Sequence, residues 1–255
     1  MSSSRLPGKV MLPLAGNPLI LRMYERVAFS KYAGKIVIAV TTDESDNELA
    51  LLCQKNHLEV FRGSALDLLD RHFKAAKKFD AEAVIKIPSD CPLIDPDIID
   101  KVILYYINNS DKFDYVSNLH PPSYPDGNDV EIMNYKTLEY AWINAKKDFE
   151  REHTTPFMWE NPDKFRIGNV LWETGLEFSM THRLTIDYKE DYEFINRVYD
   201  ELYKQNPRFG LNDILLLLRQ KPEIKKINEM YAGVNWYRNH LKELKTITPE
   251  QTRDI

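Results

Sequence analysis

Three strand-like runs, each followed by a capped stretch with helical spacing, limit the first half of this chain to one kind of architecture. Lys35–Thr41 (KIVIAVT) precedes a helical segment from Ser45 to Asn56, where Ser45 and Glu48 have capping-box spacing. Leu58–Phe61 precedes a helix over Ser64–Phe79, with Ser64 and Asp67 as its cap pair. Ala83–Ile87 (AVIKI) precedes a helix to about Ile107 that starts with Asp95 as N-cap and Pro96 at the first helical position. Parallel strands need crossovers of this length, so the pattern predicts βαβ units. The expected fold is α/β and Rossmann-like, a mostly parallel sheet flanked by helices, built as a single domain over residues 1–255.

From about Asp114 the texture changes. Tyr115–Asn118, Val130–Met133 and Phe165–Leu171 read as strands around the turn-rich Pro121–Gly127, with helices near 136–148 and 151–160. This predicts a mixed-sheet extension over about 114–172. Arg183–Ile186 reads as a short strand feeding a helix from Tyr188 to about Tyr203, and residues 206–255 as a helical, then polar, tail.

Composition removes several classes. The net charge of −5 favours no nucleic-acid partner. The longest aliphatic run, Ile214–Leu218, is far short of the roughly 20 residues of a membrane span. No apolar run follows Met1 closely enough for a secretory signal, so a cytoplasmic enzyme with no membrane partner is expected. Cys53 and Cys91 cannot build a cysteine zinc site, and no two histidines stand at i, i+4.

Chemistry concentrates at a few places. Arg5 and Lys9 flank a Leu6-Pro7-Gly8 bend preceded by serines, a loop able to aim two cations, backbone N–H groups and hydroxyls at a polyphosphate. It is not a Walker loop, because Ser3 stands where the first glycine belongs and Val10 follows Lys9. A frayed polar terminus is the plain alternative. Asp90 follows the strand Ala83–Ile87 at its carboxyl end, where open α/β sheets bind ligands. Asp187 follows Arg183–Ile186, though with Glu190 it also has capping-box spacing. Asp67 and Arg71 could equally form an i, i+4 ion pair.

Ser3-Ser4-Arg5-Leu6-Pro7-Gly8-Lys9, then Leu14-Ala15-Gly16-Asn17-Pro18-Leu19-Ile20, resembles the opening of sugar cytidylyltransferases, the group of CMP-Kdo and CMP-acylneuraminate synthetases and the spore coat polysaccharide branch. The likeness continues through Arg62-Gly63-Ser64, Leu69-Asp70-Arg71, Asp90 to Asp95, Tyr124-Pro125-Asp126-Gly127, Arg151-Glu152-His153 and Asp187 to Tyr192. Pro88-Ser89 and Tyr188-Lys189 replace the Thr-Gly and Thr-Pro usual in the family.

The resemblance implies a GT-A-like nucleotidyltransferase that transfers CMP from CTP to a sugar, an acidic one by the group's habit, with release of pyrophosphate. It implies Mg2+, with Mn2+ as the alternative, on Asp90 and Asp187, and catalytic roles for Arg5, Lys9, Asp90 and Asp187. Ser3, Leu6, Gly8, Thr42, Asp43, Gly63, Ser64 and Arg71 would bind the nucleotide. Tyr124, Asp126, Asp129, Glu131, Arg151, Glu152 and His153 would bind the sugar, in an extension that could also carry a homodimer contact. The family places a strand and an arginine ahead of the Ser-Ser-Ser-Arg loop, so about ten residues upstream of Met1 are expected. The competing readings are a GT-A-type glycosyltransferase, which would release no pyrophosphate, and a non-catalytic nucleotide-binding relative.

Overall fold

The computed structural model describes residues 5–254. A 3-10 turn at Lys9–Met11 leads into a small antiparallel hairpin of β1 (Pro13–Leu14) and β2 (Asn17–Pro18), followed by α1 (Leu19–Ala28). Then come β3 (Val37–Thr41), α2 (Asn47–Lys55), β4 (Glu59–Gly63), α3 (Leu68–Lys78), β5 (Ala83–Lys86) and α4 (Pro96–Asn108). The second half contributes β6 (Tyr115–Ser117), β7 (Glu131–Asn134), α5 (Tyr135–Asn144), α6 (Asp148–Glu152), α7 (Pro156–Trp159), β8 (Ile167–Asn169), α8 (Lys189–Leu202), α9 (Leu211–Gln220) and α10 (Pro222–Lys226).

Two sheets carry the site. β3 and β4 pair in parallel, from Val37 opposite Glu59 to Thr41 opposite Gly63. The other sheet has the order β5-β7-β6-β8. In it β7 runs against both β5 and β6, while β8 is parallel to β6. Three of its four strands therefore share one direction and only β7 is reversed. The loop joining β6 to β7 contains no helix, so no parallel crossover is built there. Among the described residues β3 and β5 are not hydrogen-bonded to each other, and both line one cleft.

Several expected boundaries move for local reasons. Asp95 caps α4 as expected, accepting the Asp97 N–H at 2.8 Å, and its other oxygen accepts the N–H of Leu211 at 2.6 Å, which fastens α9 to α4. The start of α2 is organised by Asp46 rather than by a Ser45–Glu48 box. Asp46 Oδ2 accepts the Thr41 N–H at 2.8 Å, tying the helix to the end of β3. The predicted helices at 136–148 and 151–160 become α5, α6 and α7. Thr154 takes a left-handed φ of 74°, which breaks the helix there, and Pro156 starts α7 at its first position.

The largest core packs α1, α4, α8 and α9 against the sheet, through Leu19, Ile99, Val102, Phe194 and Ile214, all buried. Its apolar faces follow the helical spacing seen in the sequence, as at Ile195 and Tyr199 of α8.

Candidate active site

The predicted strand 183–186 forms no ladder, only an isolated bridge between Arg183 and Asp126. Its donors diverge: Leu184 N–H reaches Asp126 O at 2.7 Å, whereas Ile186 N–H reaches Asp90 O at 2.9 Å. Thr185 Oγ1 also donates to Asp90 O, at 2.8 Å. Gly127 makes the first contact possible. Its φ is +100°, and a Cβ there would lie 2.6 Å from the Leu184 carbonyl carbon. This stitching brings Asp90 and Asp187 to one place.

Lys9 Nζ sits between them, 3.1 Å from Asp90 Oδ2 and 3.0 Å from Asp187 Oδ1, and donates to the Ile186 carbonyl at 2.7 Å. Gly8, with φ 69°, turns the chain immediately before Lys9. Arg5 Nη2 reaches the same Asp187 oxygen at 2.8 Å and stays half-exposed. Burial alone would raise the Asp187 pKa, but Lys9, Arg5 and Arg183 outweigh it and hold the carboxyl below its ordinary value. Burial likewise opposes a charged Lys9, and Asp90 and Asp187 reverse that and raise its pKa.

Arg183 is the centre of a second, buried network. Its Nε and Nη2 donate to the two oxygens of Asp191 at 2.9 and 3.1 Å, and Nη2 also reaches Asp187 Oδ2 at 3.0 Å. Nη1 donates to Val234 O at 2.8 Å and lies 3.3 Å from Asp126 Oδ2. Asp191 in turn accepts the N–H groups of Asp187 and Tyr188 at 2.9 Å each, so it organises the start of α8. The predicted Asp187–Glu190 capping box does not form.

Beside this centre lies a cleft of about 780 Å3, within the usual range for small-molecule sites of roughly 300–1,000 Å3. One part runs between the apolar edges of β3 and β5, past Ile38, Ala39, Val84 and Ile85. Its other end is polar and aromatic. His153 stacks on Trp236 at 3.8 Å, and His120 stacks on Trp159 at 4.3 Å. Burial lowers His72 and His153 to about 3, with Lys86 adding to it, and lowers His120 to about 4. Lys86 forms a short ion pair with Glu131, which also accepts from Tyr115 Oη at 2.7 Å. Asp129 accepts the Gly127 N–H at 3.3 Å. Burial and the nearby Asp90 raise its pKa to about 6, and burial with Asp129 raises Asp126 well above the ordinary value despite Arg183.

As hard oxygen donors meeting at one cation position, Asp90 and Asp187 suit a small divalent ion. Among the described residues no cluster of three or more His, Cys, Asp or Glu side chains could hold a metal. Mg2+ does not need one, since it takes one or two carboxylates and completes its shell with phosphate oxygens and water.

Residues 1–251 match the cytidylyltransferase family. The chain belongs to the cytidylyltransferase family. Spore coat polysaccharide biosynthesis protein SpsF of Bacillus subtilis is 32% identical over 229 residues, covering 88% of this chain and 92% of that protein. An uncharacterised protein of Methanocaldococcus jannaschii is 34% identical over 233 residues, covering 89% of this chain and 90% of that protein. A solved cytidylyltransferase structure from Leptospira borgpetersenii has 32% identity and a TM-score of 0.83, covering 88% of this chain and 92% of the other. The α/β nucleotidyltransferase fold is thereby shown, and the chain is a nucleotidyltransferase.

In this cytidylyltransferase the expected site residues divide into three groups. Arg5, Lys9, Asp90 and Asp187 converge as described, with Leu6 packed on the core beneath them. Ser3 lies outside the described residues. Thr42, Asp43, Gly63 and Ser64 sit at the carboxyl ends of β3 and β4 and do not line the cleft, whereas Arg71 does. A Cβ at Gly63 would lie 2.9 Å from Arg71 Cγ, so the close approach there is made by the arginine stem.

Asp126, Asp129, Glu131, Tyr124 and His153 line the cleft, although the Tyr124 ring is buried and stacked on Trp172 at 5.6 Å. Arg151 and Glu152 do not line it. Arg151 is consumed by Asp67, at 2.8 Å from Nε, and by the Trp142 carbonyl at 2.6 Å. That pair also replaces the Asp67–Arg71 ion pair that the i, i+4 spacing allowed. Sequence reading missed Arg183, Asp191, Lys86, Trp236 and Tyr237. Arg183 and Asp191 flank Asp187 at four residues on either side, the one local signal available. Nothing in the local sequence ties Trp236 to His153.

Proposed function

We propose that the enzyme transfers CMP from CTP to a sugar hydroxyl, releasing pyrophosphate, and that its product feeds surface-polysaccharide assembly. The observation that carries the reading is the Lys9 ammonium held between Asp90 and Asp187, with Arg5 on the same carboxylate, in a cytidylyltransferase chain. The polysaccharide role takes its support from the name of the Bacillus subtilis relative.

The new bond joins the sugar oxygen to the α-phosphorus; the bond to the bridging α–β oxygen breaks, and the hydroxyl proton leaves to water. Two obstacles are electrostatic: the triphosphate repels the attacking oxygen, and the leaving pyrophosphate accumulates charge. Arg5, half-exposed at the mouth, would give up Asp187 to reach the β and γ phosphates, and the Lys9 ammonium would add positive charge beside them. Asp90 and Asp187 would hold Mg2+, which draws charge from phosphate oxygens when bound. Arg183 holds Asp187 from behind and Thr185 holds the Asp90 backbone, so both carboxylates are positioned before substrate arrives.

The test is pyrophosphate release with each of the four NTPs, Mg2+ and a panel of sugars. Release that depends on both CTP and a sugar is expected. Sugar transfer from a CMP- or UDP-sugar without pyrophosphate would instead identify a glycosyltransferase.

A further inference from the structure

Arg5 has two attachments that use different parts of its guanidinium. Nη2 lies 2.8 Å from Asp187 Oδ1, and Cζ lies over the Tyr188 ring, 5.2 Å from its centroid. A guanidinium hydrogen-bonds from its edge and stacks through its flat faces, so the two contacts do not compete. The carboxylate has other claimants. The same Asp187 oxygen takes Lys9 at 3.0 Å, and its other oxygen takes Arg183 at 3.0 Å. Phosphate oxygens would take the N–H edge of Arg5 and break its ion pair, but the face contact with Tyr188 is compatible with them.

Tyr188 is itself held fast. Its ring stacks on Tyr231 at 3.9 Å with the planes 6° apart, and its backbone N–H is fixed by Asp191 Oδ2 at 2.9 Å, at the head of α8. Tyr231 belongs to a 3-10 turn (Glu229–Tyr231) that follows α10, so the end of the chain steadies this ring. Arg5 lines the cleft, whereas neither tyrosine does, so Tyr188 meets a ligand through the arginine. A half-exposed arginine released from its carboxylate would regain rotamer freedom and lose it again at the phosphates. A fixed ring against its face removes part of that cost. We propose that Tyr188 is a positioning residue, whose ring keeps the Arg5 guanidinium at the mouth of the cleft as a triphosphate draws it away from Asp187. The inference rests on the reading above that this cleft takes a nucleoside triphosphate.

The experiment combines calorimetric titration of the full chain with inorganic tripolyphosphate and Mg2+ with steady-state kinetics on CTP. Tyr188→Leu keeps bulk but removes the π face. It is expected to weaken tripolyphosphate binding and raise KM for CTP about three- to fivefold, with kcat held within about twofold. Tyr188→Phe keeps the ring and should match the wild type. In an Arg5→Ala background Tyr188→Leu should add nothing, because its effect runs through that arginine. Three results overturn the proposal: unchanged binding in Tyr188→Leu, a phenylalanine variant as weak as the leucine one, or a loss that simply adds to that of Arg5→Ala. Should the leucine variant not fold, Tyr231→Leu takes its place, with a weakening of about twofold expected that vanishes in the Arg5→Ala background; no weakening overturns the proposal. If tripolyphosphate binds but CTP yields pyrophosphate with no sugar, CMP transfer is refuted, and the tripolyphosphate comparison still decides the role of Tyr188. A wild-type chain that binds no tripolyphosphate overturns the proposal directly.

Discussion

Asp191 accepts the backbone N–H of Asp187 at 2.9 Å, and by doing so leaves both side-chain oxygens of Asp187 for other partners. A carboxylate used as a helix cap spends an oxygen on backbone donors. Here Asp191 takes that role, 0% exposed and paired with Arg183. Asp187 then turns one oxygen to Lys9 and Arg5 and the other to Arg183. The division of labour leaves the side chain of Asp187 facing Lys9 and Arg5 and makes Asp191 the group that organises the start of α8.

Asp90→Asn and Asp187→Asn are each expected to lower kcat for pyrophosphate release at least about 100-fold. The two should differ in stability. Asp187 balances three cations, so its loss should also lower the melting temperature, while Asp90, with one cation and partial exposure, should lower it less. Steady-state kinetics with thermal melts checks both. Near-normal release in both variants would remove these residues from the reaction centre.

Arg183→Met would leave Asp191 buried without its guanidinium and would remove the ion-pair partner of Asp126. Breaking a buried pair from one side costs about 3–5 kcal/mol. Urea denaturation should show a loss of that size. A change below ~1 kcal/mol would mean that the carboxylates are satisfied in another way.

Stability is expected to fall as pH drops below about 6.5, the ordinary histidine value. Burial lowers His72 and His153 to about 3, and His120 and His182 to about 4, so each stays neutral in the fold but takes up a proton on unfolding near pH 5. Their contribution is therefore complete above the unfolded pKa and is lost as pH falls toward the folded one. Asp126 and Asp129 act in the reverse sense, because burial makes the folded carboxyls hold protons that the unfolded chain gives up. Four protons gained against two released leave an uptake of about two on unfolding near pH 5. Asp129→Asn should raise that uptake to about three and steepen the pH dependence. Chemical denaturation at several pH values reads the slope, and a flat profile between pH 5 and 6.5 would contradict the burial of these histidines.

Gly63→Val should raise KM for CTP several-fold, with a smaller effect on the sugar. The new side chain would displace Arg71, which lines the cleft, and crowd Phe61, also 2.9 Å from the added Cβ. The same assay should give a kcat/KM for CTP at least about tenfold above that for UTP, as expected where a pocket pairs with a base amino group. An unaltered KM in the variant would place the nucleotide away from Arg71.

Much of this molecule is written in short-range pattern. The strand–helix alternation through Pro96, the Asp95 cap with Pro at the first helical position, and the apolar stripe of α8 all follow from local sterics and periodicity. So do the Gly8 turn before Lys9 and the placing of Asp90 after a strand, because a turn's φ and a strand's end depend on neighbouring residues alone. Tertiary structure decided which partner each charge takes. Local spacing offered Arg71 to Asp67, yet Arg151 takes that carboxylate from another helix. Spacing offered Asp187 as a cap, yet Arg183 and Asn228 hold Asp191 where the α8 donors need it. The cleft's aromatic wall joins His153 to Trp236 from a later turn of the chain. Ion pairs and stacked rings form between whichever groups the packed backbone brings within a few ångströms, and desolvation then makes those choices strong. The sequence by itself determined the scaffold and the residues available for chemistry; their pairing, and with it the charge left facing the cleft, was decided only when distant segments were packed together.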